Sequence, residues 1–156
     1  MNTRFVKPTD AAQILDIYKP FILGTSISFE TEVPSLKAFA SRIKDYASNA
    51  PWLVAEQDGF IIGYAYASAH RSRQAYQWNQ EVTAYIHPDF RRQRVAKKLY
   101  HKLLSYLQMM GFYKAIAIIT LPNKASLAFH KAIGFEPIGI MKKVGFKFNT
   151  WHDTSW

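Results

Sequence analysis

The sequence contains no cysteine among its 156 residues. This absence excludes disulfide bonds, thiolate metal sites and a cysteine nucleophile, and it suits a reducing cytosol. No apolar run approaches the roughly 20 residues that a membrane span requires, and the first residues lack the apolar core of a signal peptide. We therefore expect one soluble, cytoplasmic domain over residues 1–156, with no metal and no membrane partner.

Acidic residues are also scarce relative to basic ones. Eleven Asp and Glu stand against twenty Lys and Arg, which gives a formal net charge of +9, while 49% of the residues are hydrophobic and 15% are aromatic. The high apolar content excludes a disordered chain. The positive charge indicates an anionic partner, and composition alone leaves nucleic acid, a membrane surface and a phosphorylated cofactor open.

Hydrophobic periodicity and turn signals predict alternating helices and strands. Asp58-Gly59 lies between two apolar runs and predicts a hairpin, because both residues tolerate positive φ. We expect a first helix that Pro20 ends, a long helix at 91–110 capped by Gly111, and a doubly buried strand at 115–119. The other expected strands lie at 5–6, 52–55, 60–66, 78–86 and in the 135–156 tail, and the other helices follow Pro34 and Pro122.

The beginning of the long predicted helix carries charge of the unfavourable sign. Helix N-termini favour acidic residues, because the helix dipole places partial positive charge there. Here the first two turns instead hold Arg91, Arg92, Arg94, Lys97 and Lys98. A bound anion would offset this cost, and a helix N-terminus after a strand is a ready phosphate site. A solvated basic face and contact with nucleic acid are the alternatives, although helix-turn-helix, zinc-ligand and basic-arm patterns are missing.

Eight short segments, spread over nearly the whole chain, form a recognisable set by their order and spacing. They are 51–56, 81–86, 91–96, 121–123, 126–130, Gly134-Phe135, Gly145 and 151–153. In order and spacing these segments resemble the GNAT superfamily of N-acetyltransferases, and within it the phosphinothricin and methionine-sulfone acetyltransferases. The resemblance implies an α/β (α+β) GNAT acyl-CoA N-acyltransferase fold, with a mixed, mostly antiparallel central sheet of about six to seven strands and about four helices.

The resemblance also implies acetyl-CoA as the cosubstrate, with its phosphates on the backbone amides of an R-x-x-G-x-G/A loop. The corresponding residues are Arg91, Arg92, Gln93, Arg94, Val95 and Ala96, with arginine in place of the usual glycine. We expect Arg94 to have helical geometry, so that its amide needs no positive φ and its side chain adds a contact. The other implied cofactor residues are Ala84, Tyr85, Ile86, Asn123 and Ser126. By itself, Asn123 after Pro122 is typical of a helix N-cap.

The resemblance implies a catalytic role for three groups at the reaction centre. Glu81 would be the general base, acting through a water, and a backbone N–H near Tyr85 or Ile86 would stabilise the oxyanion. His130 would protonate the departing thiolate, because an imidazole titrates near working pH. Without the resemblance, Glu81 is an outward-facing strand carboxylate and His130 a structural helix residue.

The implied acceptor is a small, amino-acid-like amine. The substrate-binding residues would be Phe29, Arg71, Arg73, Tyr76 and His152. An arginine would pair with a carboxylate or phosphinate of the acceptor, and the aromatic rings would form the wall of the pocket. Ordinary loop solubility is the alternative for each arginine.

Several rival functions compete with this hypothesis. A protein, peptide or polyamine acetyltransferase is the rival among enzymes, although like charge disfavours a polyamine at a basic site. A non-catalytic coenzyme A binding module is a rival from another class, and nucleic-acid binding is a more distant one. The resemblance also implies a homodimer, for which the aromatic tail could supply the interface.

Overall fold

The computed structural model describes all 156 residues, and these divide into two compact units. The first comprises residues 1–18 and 34–116, and the second comprises residues 19–33 and 117–156. The helices are α1 (Ala11–Gly24), α2 (Leu36–Ala47), α3 (Val95–Met109) and α4 (Lys124–Ala132). The strands are β1 (Asn2–Phe5), β2 (Trp52–Gln57), β3 (Phe60–Ala69), β4 (Asn79–Ile86), β5 (Lys114–Ile116), β6 (Ile119–Thr120), β7 (Ile140–Lys147) and β8 (Thr150–Ser155). No helix combines the length and hydropathy that a membrane crossing requires.

The first unit is built on a five-stranded sheet in the order β1-β2-β3-β4-β5. All neighbouring strands are antiparallel except β4 and β5, which run parallel. The predicted hairpin joins β2 to β3, and both Asp58 and Gly59 have positive φ, at 53° and 82°. The mixed, mostly antiparallel class and the four helices are confirmed. The strands divide between two sheets, however, instead of forming one of six or seven.

Helix α3 covers one face of this sheet through the apolar stripe that its periodicity predicts. Val95, Leu99, Leu103 and Leu107 are buried, Leu99 and Leu103 completely. A fully buried leucine contributes about 1.5–3 kcal/mol relative to an exposed one, so this stripe fixes α3 on the sheet. The helix ends as predicted, with Gly111 at a left-handed φ of 82°.

The opposite face of the same sheet carries a row of aromatic rings. Trp52 stacks on Tyr66 with ring centroids 4.2 Å apart, and Tyr64 contacts Tyr85 of β4 at 5.6 Å. Because side chains alternate along a strand, Glu81 shares this face of β4 with Tyr85. Packing of the aromatic row therefore fixes the strand from which Glu81 projects.

Several element boundaries differ from prediction, and packing explains two of them. Helix α1 does not end at Pro20 but continues to Gly24, because the buried Phe21 and Ile22 stabilise the turn beyond the proline. The strand expected at 115–119 is instead two short strands, β5 and β6, in different sheets. An apolar run does not show where a chain leaves one sheet for another, and Ile118 between these strands is exposed.

The second unit contains helix α4 and a three-stranded antiparallel sheet in the order β6-β8-β7. Strands β7 and β8 lie in the tail at 135–156, where strands were predicted. Gly134, with φ of 94°, follows the end of α4. Strand β7 leaves several large apolar side chains exposed, which are Ile140, Met141, Val144 and Phe146.

Candidate active site

Strand β4 has a neighbour along only part of one edge. Its pairing with the parallel strand β5 stops at Glu81↔Ile116, and no strand lies beside the segment from Thr83 to Ile86 on that side. The other edge is paired with β3 along the whole strand. Backbone groups next to Glu81 are therefore open to a ligand on one side only.

The direction of each β4 amide follows from the antiparallel pairing with β3. The His87 amide donates to Ile62 O at 3.0 Å, and the His70 amide donates to Asn79 O at 3.4 Å at the other end of the strand. Since hydrogen-bonded pairs alternate in an antiparallel ladder, odd-numbered β4 residues direct their amides to β3. The amides of Ala84 and Ile86 consequently point to the open edge, whereas the Tyr85 amide points to β3.

The segment between β4 and α3 contains two arginines in the left-handed region. Arg92 and Arg94 have φ values of 62° and 61°, and α3 begins only at Val95, with Arg94 as its N-cap. The predicted helix start at residue 91 and the helical geometry predicted for Arg94 are therefore wrong. Arginine adopts the backbone conformation that glycine favours, at a cost of roughly 1–2 kcal/mol for each residue.

These two residues give the segment the geometry of an anion site. Gln93, which lies between them, is not among the residues with positive φ, so the sign of φ alternates over Arg92, Gln93 and Arg94. Residues that alternate in this way turn successive N–H groups to one side and form a concave anion-binding nest. The first amides of α3, from Val95 and Ala96, have no acceptor within the helix and add to this set. The side chain of Gln93 braces the segment, because its Nε2 donates to Asp89 O at 3.1 Å.

The chemistry of these donors fits the diphosphate of a coenzyme A thioester. Backbone amides supply uncharged donors, the dipole of α3 adds partial positive charge, and five cationic side chains lie in the segment and the first helical turn. The open edge of β4 supplies amides of the kind that pair with an amide-containing arm. Both features belong to the first compact unit.

Glu81 has a partner that was not singled out from the sequence. Its Oε1 lies 2.8 Å from Nδ1 of His70, a residue just beyond the end of β3. The Glu81 side chain is 31% exposed and that of His70 is 11% exposed. The register could have indicated this pair: Ser68 is opposite Glu81, so His70 is its diagonal neighbour, within reach of a long side chain.

The loop after β3 brings together two of the predicted substrate residues. The guanidinium of Arg71 lies 5.4 Å from the centre of the Tyr76 ring, and its Nε donates to His70 Nε2 at 3.3 Å. Tyr76 closes a single 3-10 turn whose N-cap is Arg73. Both arginines are exposed, and Arg71 is connected to Glu81 through His70.

In the second unit, the residues at the start of α4 form their own cluster. The side chain of Asn123 accepts from Ser126 N at 3.1 Å, which is the N-cap expected from Pro122-Asn123 alone. His130 is buried, and its Nδ1 donates to Ser126 O at 2.8 Å. Burial lowers the pKa of His130, and the bond to Ser126 offsets this only in part. The imidazole is therefore held in its neutral form.

Phe29 and His152 lie together in the second unit, with ring centroids 6.1 Å apart. A Cβ at Gly145 would overlap the Phe29 ring, so only glycine leaves room for it. The loop that carries Phe29 is fastened by Lys147, whose buried Nζ donates to Ile22 O and Ser28 O at 2.6 and 2.7 Å. Burial lowers the pKa of Lys147. No pattern in the sequence indicates this buried lysine.

Comparison with known proteins gives the family. Residues 3–156 match the model of the acetyltransferase (GNAT) domain. The chain is 38% identical to a phosphinothricin N-acetyltransferase of Alcaligenes faecalis, over 98% of this chain and 79% of that protein. It is 29% identical to an L-methionine sulfoximine/L-methionine sulfone acetyltransferase of Salmonella typhimurium, over 98% of this chain and 90% of that protein.

A solved structure gives the same result. A GNAT superfamily phosphinothricin acetyltransferase from Sinorhizobium meliloti, in complex with acetyl-CoA, superimposes with a TM-score of 0.95 at 36% identity, covering 99% of this chain and 84% of that one. The fold predicted from the resemblance is confirmed, and so is acetyl-CoA as cosubstrate. On its sequence, its fold and the anion site between β4 and α3, this chain belongs to the GNAT family of acetyl-CoA-dependent N-acetyltransferases.

Proposed function

We propose that the enzyme acetylates the amino group of a small, amino-acid-like acceptor, of the phosphinothricin, methionine sulfone or methionine sulfoximine type. A phosphinothricin N-acetyltransferase and a methionine sulfoximine/sulfone acetyltransferase both align over almost the whole chain. Arg71 on its exposed loop supplies a planar, bidentate donor suited to an acceptor carboxylate or phosphinate. A single domain over residues 1–156 is part of this proposal.

One observation carries the proposed chemistry: Glu81 projects from β4 at the point where β5 stops pairing with it. Bound acetyl-CoA supplies a thioester carbonyl for the acceptor amine to attack. Glu81 takes a proton from the amine through a water, and general-base help of this kind is typically worth about 10²–10⁴-fold in rate. Its Oε1 is engaged by His70, which leaves Oε2 for this proton.

The oxyanion that forms during attack needs fixed hydrogen-bond donors. Of the two amides predicted for this part, only that of Ile86 points to the open edge of β4, and Ala84 adds a second. We assign stabilisation of the oxyanion to the open edge and not to the Tyr85 amide. Such donors are worth about 10²–10³-fold each, because they are oriented before the reaction.

The geometry of His130 does not favour the acid role inferred from its position in the sequence. Its Nδ1 donates to a carbonyl, so Nε2 carries no proton in the neutral ring. A proton donor would need the doubly protonated ring, which burial disfavours through the lowered pKa. We assign His130 a structural part in the last turn of α4, where its ring bonds the Ser126 carbonyl one turn earlier. The thiolate then takes its proton from solvent or from the acceptor ammonium.

The homodimer and the cytoplasmic location stay predictions. The exposed apolar side chains of β7 support a dimer, because exposed apolar patches of this kind mark interfaces between proteins. Sedimentation equilibrium should give twice the mass of the chain, and a monomer mass at micromolar concentration would contradict the dimer.

The test is a thiol-release assay with acetyl-CoA and a panel of amino acids, methionine sulfone, methionine sulfoximine and phosphinothricin. Glu81→Gln should lower kcat by about 10²–10⁴-fold while calorimetry finds acetyl-CoA binding unchanged. Glu56→Gln, on β2, is the matched control and should keep full turnover. If no acceptor of the panel is acetylated, the substrate class is wrong. If Glu81→Gln keeps wild-type kcat, the base is wrong.

A further inference from the structure

The contacts of His70 single it out from the other histidines. Its Nδ1 lies 2.8 Å from Glu81 Oε1, its Nε2 accepts from Arg71 Nε at 3.3 Å, and its ring meets Tyr76 nearly edge-on, with centroids 5.9 Å apart and planes at 77°. Its backbone amide continues the ladder to Asn79 O. Both the position and the rotation of the imidazole are therefore fixed on several sides, all within the first unit.

These contacts specify which nitrogen of His70 holds the proton. A guanidinium only donates hydrogen bonds, so His70 Nε2 must offer a lone pair to Arg71. A neutral imidazole then carries its single proton on Nδ1, which donates to the Glu81 carboxylate. The charge sequence is guanidinium cation, neutral ring, carboxylate anion. This order is favourable, because a neutral ring between them avoids repulsion between imidazolium and guanidinium.

We propose that His70 is a positioning residue for the proposed base: it holds the Glu81 carboxylate in one orientation, with Oε2 turned to the acceptor. This inference rests on the function proposed above. A glutamate has three rotatable side-chain bonds, and fixing them costs conformational entropy. The bond from His70 fixes the carboxylate before the acceptor arrives, so this cost does not enter the barrier.

The same contacts connect acceptor recognition to the base. Arg71 is the residue proposed to bind the acceptor's acidic group, and it is also the donor that sets the His70 tautomer. Loss of Arg71 should therefore affect KM for the acceptor and the orientation of Glu81 together. His70 itself carries no proton to or from the substrate in this scheme.

Three replacements of His70 separate positioning from other roles. In His70→Asn the side-chain amide nitrogen occupies the place of Nδ1 and still donates to Glu81, whereas His70→Gln places its amide one bond farther along and His70→Ala has no donor. We expect kcat to fall roughly 10- to 100-fold in the alanine and glutamine variants and to stay within about 3-fold of wild type in the asparagine variant. KM for acetyl-CoA should not change. Any other order of activities among the three variants overturns the proposal.

A double-mutant cycle distinguishes this inference from the proposed function. If His70 acts through Glu81, His70→Ala should reduce turnover in the wild type but not further in Glu81→Gln. A full additional loss in that background overturns the positioning role. Wild-type kcat in Glu81→Gln would instead refute the base assignment. His101→Ala, at an exposed position on α3, is the matched control and should have wild-type kinetics.

A spectroscopic measurement tests the hydrogen bond between His70 and Glu81 independently of enzyme activity. Long-range ¹H–¹⁵N correlation spectra of the labelled protein report which ring nitrogen of each histidine is protonated. We expect His70 to be the Nδ1–H tautomer at neutral pH and to lose that preference in Glu81→Gln. Finding the Nε2–H tautomer in the wild type would overturn the proposal, whatever the activity of the enzyme.

Discussion

The left-handed conformation of Arg94 leads to a prediction that separates the effect of its backbone strain on stability from the effect of its side chain. Arg94 is exposed and has φ of 61°, so its removal loses no packing. Arg94→Gly should relieve about 1–2 kcal/mol of backbone strain in the folded state. Glycine also makes the unfolded chain more flexible, which lowers the free energy of unfolding by about 0.4–1 kcal/mol. The net gain in the free energy of unfolding is roughly 0.5–1 kcal/mol, a rise in Tm of about 1–4 °C for a chain of this length.

Arg94→Ala is the comparison that makes this prediction sharp. Alanine loses the same charge but keeps the strain, so it should gain no stability. Lys97→Gly, which also removes a cation but lies in the first turn of α3, should cost about 1 kcal/mol. Urea unfolding of the four proteins measures these differences. If the glycine variant at 94 is no more stable than the alanine variant, strain in this segment is not what the backbone angles indicate.

Binding of acetyl-CoA to the same two variants tests the anion site. Both lack the guanidinium, so calorimetry should find similarly weakened Kd values and a smaller dependence on salt than in the wild type. The nest amides remain in both, so binding itself should persist. Complete loss of binding in either variant would show that the side chain, and not the backbone, holds the diphosphate.

Two further predictions concern the second unit. Gly145→Ala should lower the free energy of unfolding by about 1–3 kcal/mol, because the new methyl overlaps the Phe29 ring. Gly139→Ala is the control and should be nearly neutral, because no atom lies within 4 Å of its added Cβ. Equal unfolding free energies of the two variants would contradict the close contact at Gly145. For His130, burial lowers the folded-state pKa below the ordinary 6.5, so the unfolded chain binds the proton more readily. Wild type should therefore be more stable than His130→Asn above pH 6.5, and this advantage should be lost as the pH falls through the lower folded-state pKa. Urea unfolding over a range of pH measures the difference in free energy. A difference that does not depend on pH would refute the prediction.

Local signals predicted well wherever one residue type determines one conformation. Asp58-Gly59 gave the hairpin, Gly111 the end of α3, and the leucine stripe the buried face of that helix, because turn chemistry and periodicity act within a few residues. The start of α3 was mispredicted for the opposite reason. Arg92 and Arg94 carry no sign of a left-handed backbone, and the surrounding structure imposes a conformation that their own preferences oppose.

The candidate site shows the same division between local and tertiary information. The resemblance predicts Glu81 as the base, but its partner His70 depends on the register of β3 against β4, which periodicity does not determine. Lys147 was missed because lysine is almost never fully buried, and only the tertiary structure brings two backbone carbonyls to its ammonium group.

Strand β4 can serve two chemical functions because its side chains and its amides point in perpendicular directions. Glu81 projects from a face of the sheet, where the aromatic row and His70 fix it, whereas the amides of Ala84 and Ile86 lie in the plane of the sheet at the open edge. The proposed base and the proposed oxyanion donors thus come from one strand without competing for space. This arrangement requires β5 to stop pairing at Glu81, since a longer β5 would occupy the same amides. The short parallel pairing is therefore a condition for the proposed chemistry.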